Sequence, residues 1–392
     1  MFFSENSNLN KLSYGFAILF IAFGGIQHYL THYFNSLEQP NVGFNILLIM
    51  YTSVFLNNFF VPFIINKFSI KILFIITTLF YLVSMMLILF TNEYIAYLGA
   101  IILGFWISVL WNSQNGYLLK ISSEKNRGIN SGFFISIFQT GSLLGVIILG
   151  LIIEVYGFKI SFLIVLGIGF LSLFLFLNLD CIETVNPPTK TFLFSLKTIT
   201  LFKVSIMNSL SYHLIFGLSF SLIPLHIYLI SKSTFTMAMI SSLFYLFPIL
   251  FSKKAGTYSD EYGRSLVALI GAILSMLGLL LFHFSDGLFL LIIASILLAM
   301  SMALLNPIFI AIQGDISTSH TQSYIINIFM FFKYLGLILG IYIGMFLGIK
   351  LAYLVIIGFV GIGLLFGYKL MLDISSLKIQ IKKEMDLMYG KE

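Results

Sequence analysis

Of the chain's 392 residues, 59% are hydrophobic and only 9% charged; a soluble domain carries roughly 25% charged residues, so a water-soluble core is excluded and lipid is the solvent the composition demands. The net charge of +6 comes from basic residues scattered through short segments, which argues against a nucleic-acid surface. A single cysteine, Cys181, excludes an intrachain disulfide and a thiolate metal cluster.

A membrane span takes about 20 apolar residues. In chain order such runs are predicted at 12–33, 43–65, 70–90, 95–118, 131–153 and 160–178. After a longer polar stretch at 179–202, holding Pro187 and Pro188, they resume at 203–229, 236–252, 265–283, 288–311, 323–346 and 350–371. The reading is an all-α membrane protein of twelve transmembrane helices in two six-helix bundles, 1–178 and 203–371. A cytoplasmic linker at 179–202 joins them, and a tail at 372–392 follows. The first apolar run is too long for a cleavable leader and reads as a retained anchor.

Lys and Arg positions orient the chain. With both termini cytoplasmic, Lys11, Lys67, Lys71, Lys120, Lys125, Arg127, Lys190, Lys197, Lys203, Lys253, Lys254, Arg264, Lys369, Lys378, Lys382, Lys383 and Lys391 lie inside. Only Lys159, Lys232 and Lys350 lie outside, and Lys333 falls within a span. That imbalance decides the orientation. The halves also share one offset: Asn66 and Asp260, Asn112 and Asn306, Phe138 and Phe332, and Gln139 and Lys333 are each 194 residues apart.

The clearest motif runs from Gly256 through Asp260 to Gly263-Arg264, between the eighth and ninth spans. Gly256 permits close helix approach and Gly263 a tight turn. Asp260 is placed to accept from a helix N-terminus or from Arg264. The segment is either a cytoplasmic latch that holds one conformation or an ordinary charged loop. The first-half counterpart, Pro62 through Asn66 to Lys71, has neither the acid nor the glycines.

The pattern resembles the G-x-x-x-D-x-x-G-R signature of the major facilitator superfamily. The run Pro62–Lys71 followed by Tyr81 is similar to the same loop in that superfamily's ion-channel-regulator branch, the uncoordinated-ninety-three type. So are Leu103-Gly104-Phe105, Leu110-Trp111, Gln114 and Gly116-Tyr117-Leu118 in the fourth span, Ala22–Gln27 in the first, and Gly132-Phe133-Phe134, Phe138 and Gly145 in the fifth. The resemblance implies two parallel repeats with a substrate site near the midplane. It also implies a second role, because several members of that branch regulate or traffic other membrane proteins.

Lys333 sits near the middle of the eleventh span, where a charge costs at least about 2.5–3.5 kcal/mol. All fifteen acidic residues fall in loops, tails or helix ends. Lys333 is therefore deprotonated, or solvated by water with Gln139, Asn112 or Asn306, or matched by an anionic ligand; a wet crevice without a ligand is the plain alternative. Asn112, Gln114 and Trp111 in the fourth span and Asn306 in the tenth either line a cavity or bond helix to helix. Pro307 is expected to kink the tenth span.

His213 in the seventh span is the proton-relay candidate, with helix packing as the alternative, and His28 and His32 lie near the outer end of the first. No third ligand sits near them, so no metal site is expected. Gly141 and Gly145, and Gly336, Gly340 and Gly344, read as helix-packing stripes. In the tail, Ile374, Leu377, Ile381, Met385 and Met388 form one stripe beside Lys378, Lys382 and Lys383. That tail either lies on the anionic cytoplasmic leaflet or is solvated.

There is no P-loop and no catalytic constellation, so neither an enzyme nor a cofactor is expected. The expectation is a transporter of a small polar or anionic solute by alternating access, facilitated rather than proton-driven. The competing expectation is a non-transporting regulator or trafficking partner of another membrane protein or channel.

Overall fold

The computed structural model describes residues 4–58, 60–90, 92–123, 125–181, 199–317 and 321–389. Most of the expected linker, with Pro187 and Pro188, lies outside the described residues, as do the side chains of His32, Asn66, Met385 and Met388. Everything described is helix or short connection, and ten helices are long and apolar enough to cross a membrane. With the helices at Pro40–Asn57 and Thr234–Tyr262, the twelve predicted spans are all present. The chain is an integral multi-pass membrane protein.

Several predicted runs are subdivided, each at a residue with a physical reason to interrupt a helix. The second span is Pro40–Asn57 and then Val61–Lys67, which restarts with Pro62 in its first turn, where a missing N–H costs nothing. The fifth and sixth spans meet at Gly157, whose φ of 70° and ψ of 173° suit glycine alone. The seventh is the most broken. Ile199–Asn208 passes into a π turn at Ser209–His213, then Leu214–Phe220, a non-helical Ser221, and Leu222–Ser231. There Ser211 Oγ donates to the Met207 carbonyl and Ser221 Oγ to that of Gly217. Side chains thus compete for backbone partners along this span.

Spans also run further than the apolar runs that mark them. The eighth helix is Thr234–Tyr262 and the ninth begins at Arg264. This corrects the placement of the Gly256–Arg264 motif in a loop: its first seven residues are helix, and the connection is Gly263, with φ 96° and ψ 149°. The tenth helix likewise continues to Asp315. Polar residues end a hydropathic run, but a helix continues while its backbone and charges remain satisfied.

The chain forms two compact units. One comprises 1–117 and 133–184, the other 118–132 and 185–392. In the first, Phe16 is fully buried and its ring meets those of Phe74, Trp111, Phe134 and Phe176, one from each of four neighbouring spans. Glycine brings the first and fifth spans together: a Cβ at Gly141 or Gly145 would strike the backbone of Ala17 or Ile21.

In the second unit the same device joins the seventh and eleventh spans. A Cβ at Gly336 would meet Ser209, and one at Gly340 the Leu214 carbonyl. Large apolar side chains such as Phe289 and Leu365 are 75% and 84% exposed, as expected where the surrounding solvent is hydrocarbon. The tail forms a helix, Ile374–Tyr389. Its Leu377 and Ile381 are buried, and the helix packs on Ile199–Asn208 and Ile349–Met371. At those positions the apolar stripe meets protein rather than lipid.

Candidate functional site

Two polar sites stand out in the second unit, and the first is a charge network built on the end of the eighth span. Asp260 accepts from the backbone N–H groups of Gly128 at 3.2 Å and Ile129 at 3.0 Å. These are the unsatisfied donors of the helix that starts at Arg127, so the carboxylate caps that helix and faces its positive end. Arg264 Nη1 lies 2.5 Å from Asp260 and 2.6 Å from the Ser259 hydroxyl, while its Nε donates to Asp315 at 2.8 Å. Arg127 reaches Asp315 at 3.4 Å.

Two guanidinium groups and two carboxylates thus balance, and the Arg264 side chain is only 7% exposed. Small residues make the approach possible. A Cβ at Gly256 would strike the Gly128 carbonyl, and one at Gly132 the Ser252 carbonyl. Sequence reading placed Gly256, Asp260, Gly263 and Arg264 together but missed Arg127, Ser259 and Asp315. The available signal was that Arg127 and Asp315 are charges at span ends of one predicted side.

The second site surrounds Lys333. This residue is half-buried in Gln322–Phe346, its ammonium 5.3 Å from the centroid of the Tyr334 ring and within electrostatic reach of His213. His213 ends the π turn, where the Leu214 N–H reaches back five residues to the Ser209 carbonyl. Its Nδ1 lies 3.3 Å from the Asn208 carbonyl oxygen, and its ring stands edge-on to Tyr212 at 4.5 Å. A carbonyl only accepts, so Nδ1 carries the hydrogen and Nε2 is the acceptor of the neutral ring. Asn208 is 1% exposed, and its Oδ1 has no hydrogen-bond partner among the described residues. Asn306, half-buried beside Pro307 inside Leu288–Asp315, belongs to the same unit.

The remaining polar residues belong to the first unit. Asn112 Nδ2 donates to Asn58 Oδ1 at 2.9 Å and to the Ser108 carbonyl at 2.7 Å. Its amide nitrogen is thus committed to joining the fourth span to the end of the second. Trp111 packs within 5.4–5.6 Å of the rings of Phe16, Phe20 and Phe138. Gln114 is fully buried and neither amide atom has a partner among the described residues; the same holds for Gln139 Oε1. Such groups are costly unless something bonds them.

Sequence reading also missed Gln27, which donates to Tyr51, and the buried His226, which meets the Tyr353 hydroxyl at 3.0 Å. At the far end of the same bundle Lys350 donates to Asp286 at 2.8 Å. That hydrogen bond holds the exposed Asp286 carboxyl below the ordinary carboxylate range.

Residues 204–386 match the family model of the Major Facilitator Superfamily, and residues 36–210 match that of the ion channel regulatory protein UNC-93. No functionally curated relative matches in sequence. Among solved structures, the fold is similar to that of the human organic anion transporter MFSD10 (TETRAN), with a TM-score of 0.72 at 10% identity. The match covers 97% of this chain and 99% of that one. At that identity the likeness concerns the fold, which is the twelve-helix arrangement predicted above.

Proposed function

We propose that this chain, residues 204–386 of which match the Major Facilitator Superfamily model, is a member of that superfamily and a transmembrane transporter of a small polar or anionic solute working by alternating access. The observation that carries the reading is Lys333, an ammonium held within a membrane span beside the π turn and His213. Ionisable residues inside membrane spans are rare and mark substrate and ion pathways, and a solute anion would be attracted to this one. Gln114, Gln139, Asn306 and Trp111 are the proposed contributors of polar and aromatic contacts to the solute during the cycle. Asn112 is proposed to hold the second and fourth spans together through Asn58. The Asp260–Arg264–Asp315 network, with Gly256 and Gly263, is the proposed cytoplasmic gate, which must open once per cycle. The similar fold of a protein described as an organic anion transporter agrees with this reading.

The test is uptake into proteoliposomes from a panel of labelled organic acids and neutral polar solutes. Saturable uptake lost in Lys333→Met, with folding preserved, is expected. Unchanged flux in that variant for every solute taken up would overturn the role of Lys333.

A second reading, a regulator or trafficking partner of another membrane protein, is favoured by two observations. Residues 36–210 match the channel-regulator family, and the first-half copy of the gating motif lacks its acid and glycines. Stable co-purification with one membrane partner, without flux for any solute in the panel, would select it.

A further inference from the structure

The corner where the chain leaves its twelfth span carries positive charge and apolar surface together. Lys203 lies on the first helix of the seventh span and Lys369 on the last turn of the twelfth. A Cβ at Gly363 would meet Leu210 and Met207, and one at Gly367 would meet Met207, so these two helices run antiparallel. Lys203, four residues before Met207, and Lys369, two after Gly367, therefore sit at the same end. The tail helix Ile374–Tyr389 starts just beyond Met371 and packs on both.

Protein contacts hold that helix in place. Asp373 accepts from the Ser376 N–H at 3.0 Å and caps its first turn, and the buried Leu377 and Ile381 form its contact face. Ile379 lies two residues from each of them, about 200° round the helix, and is 67% exposed. Lys382 and Lys383, both exposed, follow three and four residues after Ile379 and flank it on that outer face. Among the described residues no acid pairs with Lys203, Lys369, Lys382 or Lys383; Glu384 and Asp386 come next in the sequence.

An exposed isoleucine is poorly placed in water and well placed at the boundary of headgroups and acyl chains. Lysines beside it can lay their stems along apolar surface and raise their ammonium groups to phosphate level. We infer that this corner is a docking surface for anionic phospholipid in the leaflet beside the tail. Lipid phosphates meet Lys382, Lys383, Lys369 and Lys203, while Ile379 and Leu372, the latter 59% exposed, enter the acyl boundary. A soluble phosphate would satisfy the ammonium groups but leave both apolar side chains in water, which favours lipid. Because the opposite face is already fixed on the seventh and twelfth spans, the surface is ordered before lipid arrives and docking loses little entropy. The inference holds whether the chain moves a solute or regulates a partner.

The experiment titrates the purified full-length chain, in a non-ionic detergent, with dioleoylphosphatidylglycerol or dioleoylphosphatidylcholine, and separately with glycerol 3-phosphate. Native mass spectrometry counts bound lipid, and the thermal midpoint reports the linked stabilisation. Phosphatidylglycerol is expected to bind about tenfold or more tightly than phosphatidylcholine and to raise the midpoint further. A lysine near an anionic surface contributes about fivefold, so Lys382→Gln with Lys383→Gln should remove most of that preference, and high salt should erode it. Ile379→Ser keeps the charge and should weaken lipid binding severalfold without affecting glycerol 3-phosphate. Lys67→Gln with Lys254→Gln, at exposed lysines elsewhere, should change nothing.

Equal binding of the two lipids would overturn the assignment. So would a preference that survives the tail pair, or one that the control pair reduces as much. Glycerol 3-phosphate binding with the affinity of the lipid would show a soluble-anion site instead.

Discussion

Arg264→Gln is the sharpest probe of the charge network, because Arg264 touches both of its acids. The substitution removes the 2.5 Å pair with Asp260, the 2.8 Å bond to Asp315 and the 2.6 Å bond to Ser259. Asp260 keeps the backbone donors of Gly128 and Ile129, and Asp315 keeps Arg127 at 3.4 Å. Breaking a buried ion pair costs about 3–5 kcal/mol when the orphaned charge has nothing left. Retained partners bring the expected loss to the lower end, about 3 kcal/mol.

Asp260→Asn should cost roughly 2 kcal/mol, since one amide oxygen still caps the helix that starts at Arg127. The two losses should not add: residues in one ion-pair network couple by about 1–3 kcal/mol. At roughly 2.1 cal/mol/K per residue of unfolding entropy, 3 kcal/mol corresponds to a midpoint shift of roughly 4 °C in a chain of this length. Thermal unfolding of the four proteins of the cycle in detergent measures both quantities. Strictly additive effects, or a loss under about 0.5 kcal/mol for Arg264→Gln, would show that the network is a solvated surface cluster and would remove the physical basis of the proposed gate.

Gly263→Ala should cost about 1–3 kcal/mol through backbone strain alone, since φ is 96° and no atom beyond its chain neighbours lies within 4 Å of the added methyl group; an unshifted midpoint would contradict that. Gly340→Leu should prevent the seventh and eleventh spans from meeting at Leu214, and loss of the monodisperse elution peak is the expected readout. Asn112→Ala should destabilise by roughly 1–2 kcal/mol and couple to Asn58→Ala in a double-mutant cycle; independence of the two would return Asn112 to the list of solute contacts. Asp286 is the case where pH matters. Its folded-state carboxyl is held low by Lys350, so the pair is intact at neutral pH and its contribution disappears as pH falls below the ordinary carboxylate range. It is fully solvated, so Asp286→Asn should leave the midpoint unchanged in high salt.

The span count was legible because hydropathy and length are local properties, and lipid enforces them on every crossing. The breaks were not. Nothing in the run 203–229 announces a π turn at Ser209–His213, because it depends on His213 reaching the Asn208 carbonyl and on Gly336 closing against Ser209. Gly256, Asp260, Gly263 and Arg264 could be grouped by spacing along one segment. Arg127 and Asp315 could not, since they approach that segment from 188 residues apart in sequence. The polar fourth span was legible as polar only. Its Asn112 bonds to Asn58 while Gln114 two residues on has no described partner, a difference of direction around one helix that composition does not record.

By itself, then, the order of residues decided the solvent, the number of crossings, the expected sidedness and the presence of an awkward intramembrane cation. Each follows from the transfer free energy of a short stretch of chain, summed without reference to any other stretch. Folding in three dimensions decided which acid faces which base, where the seventh span leaves α geometry, and that the tail's Leu377 and Ile381 are covered by protein. Those outcomes turn on distances of a few ångströms between segments far apart in sequence, set by glycine contacts and buried hydrogen bonds that exist only once the helices have packed.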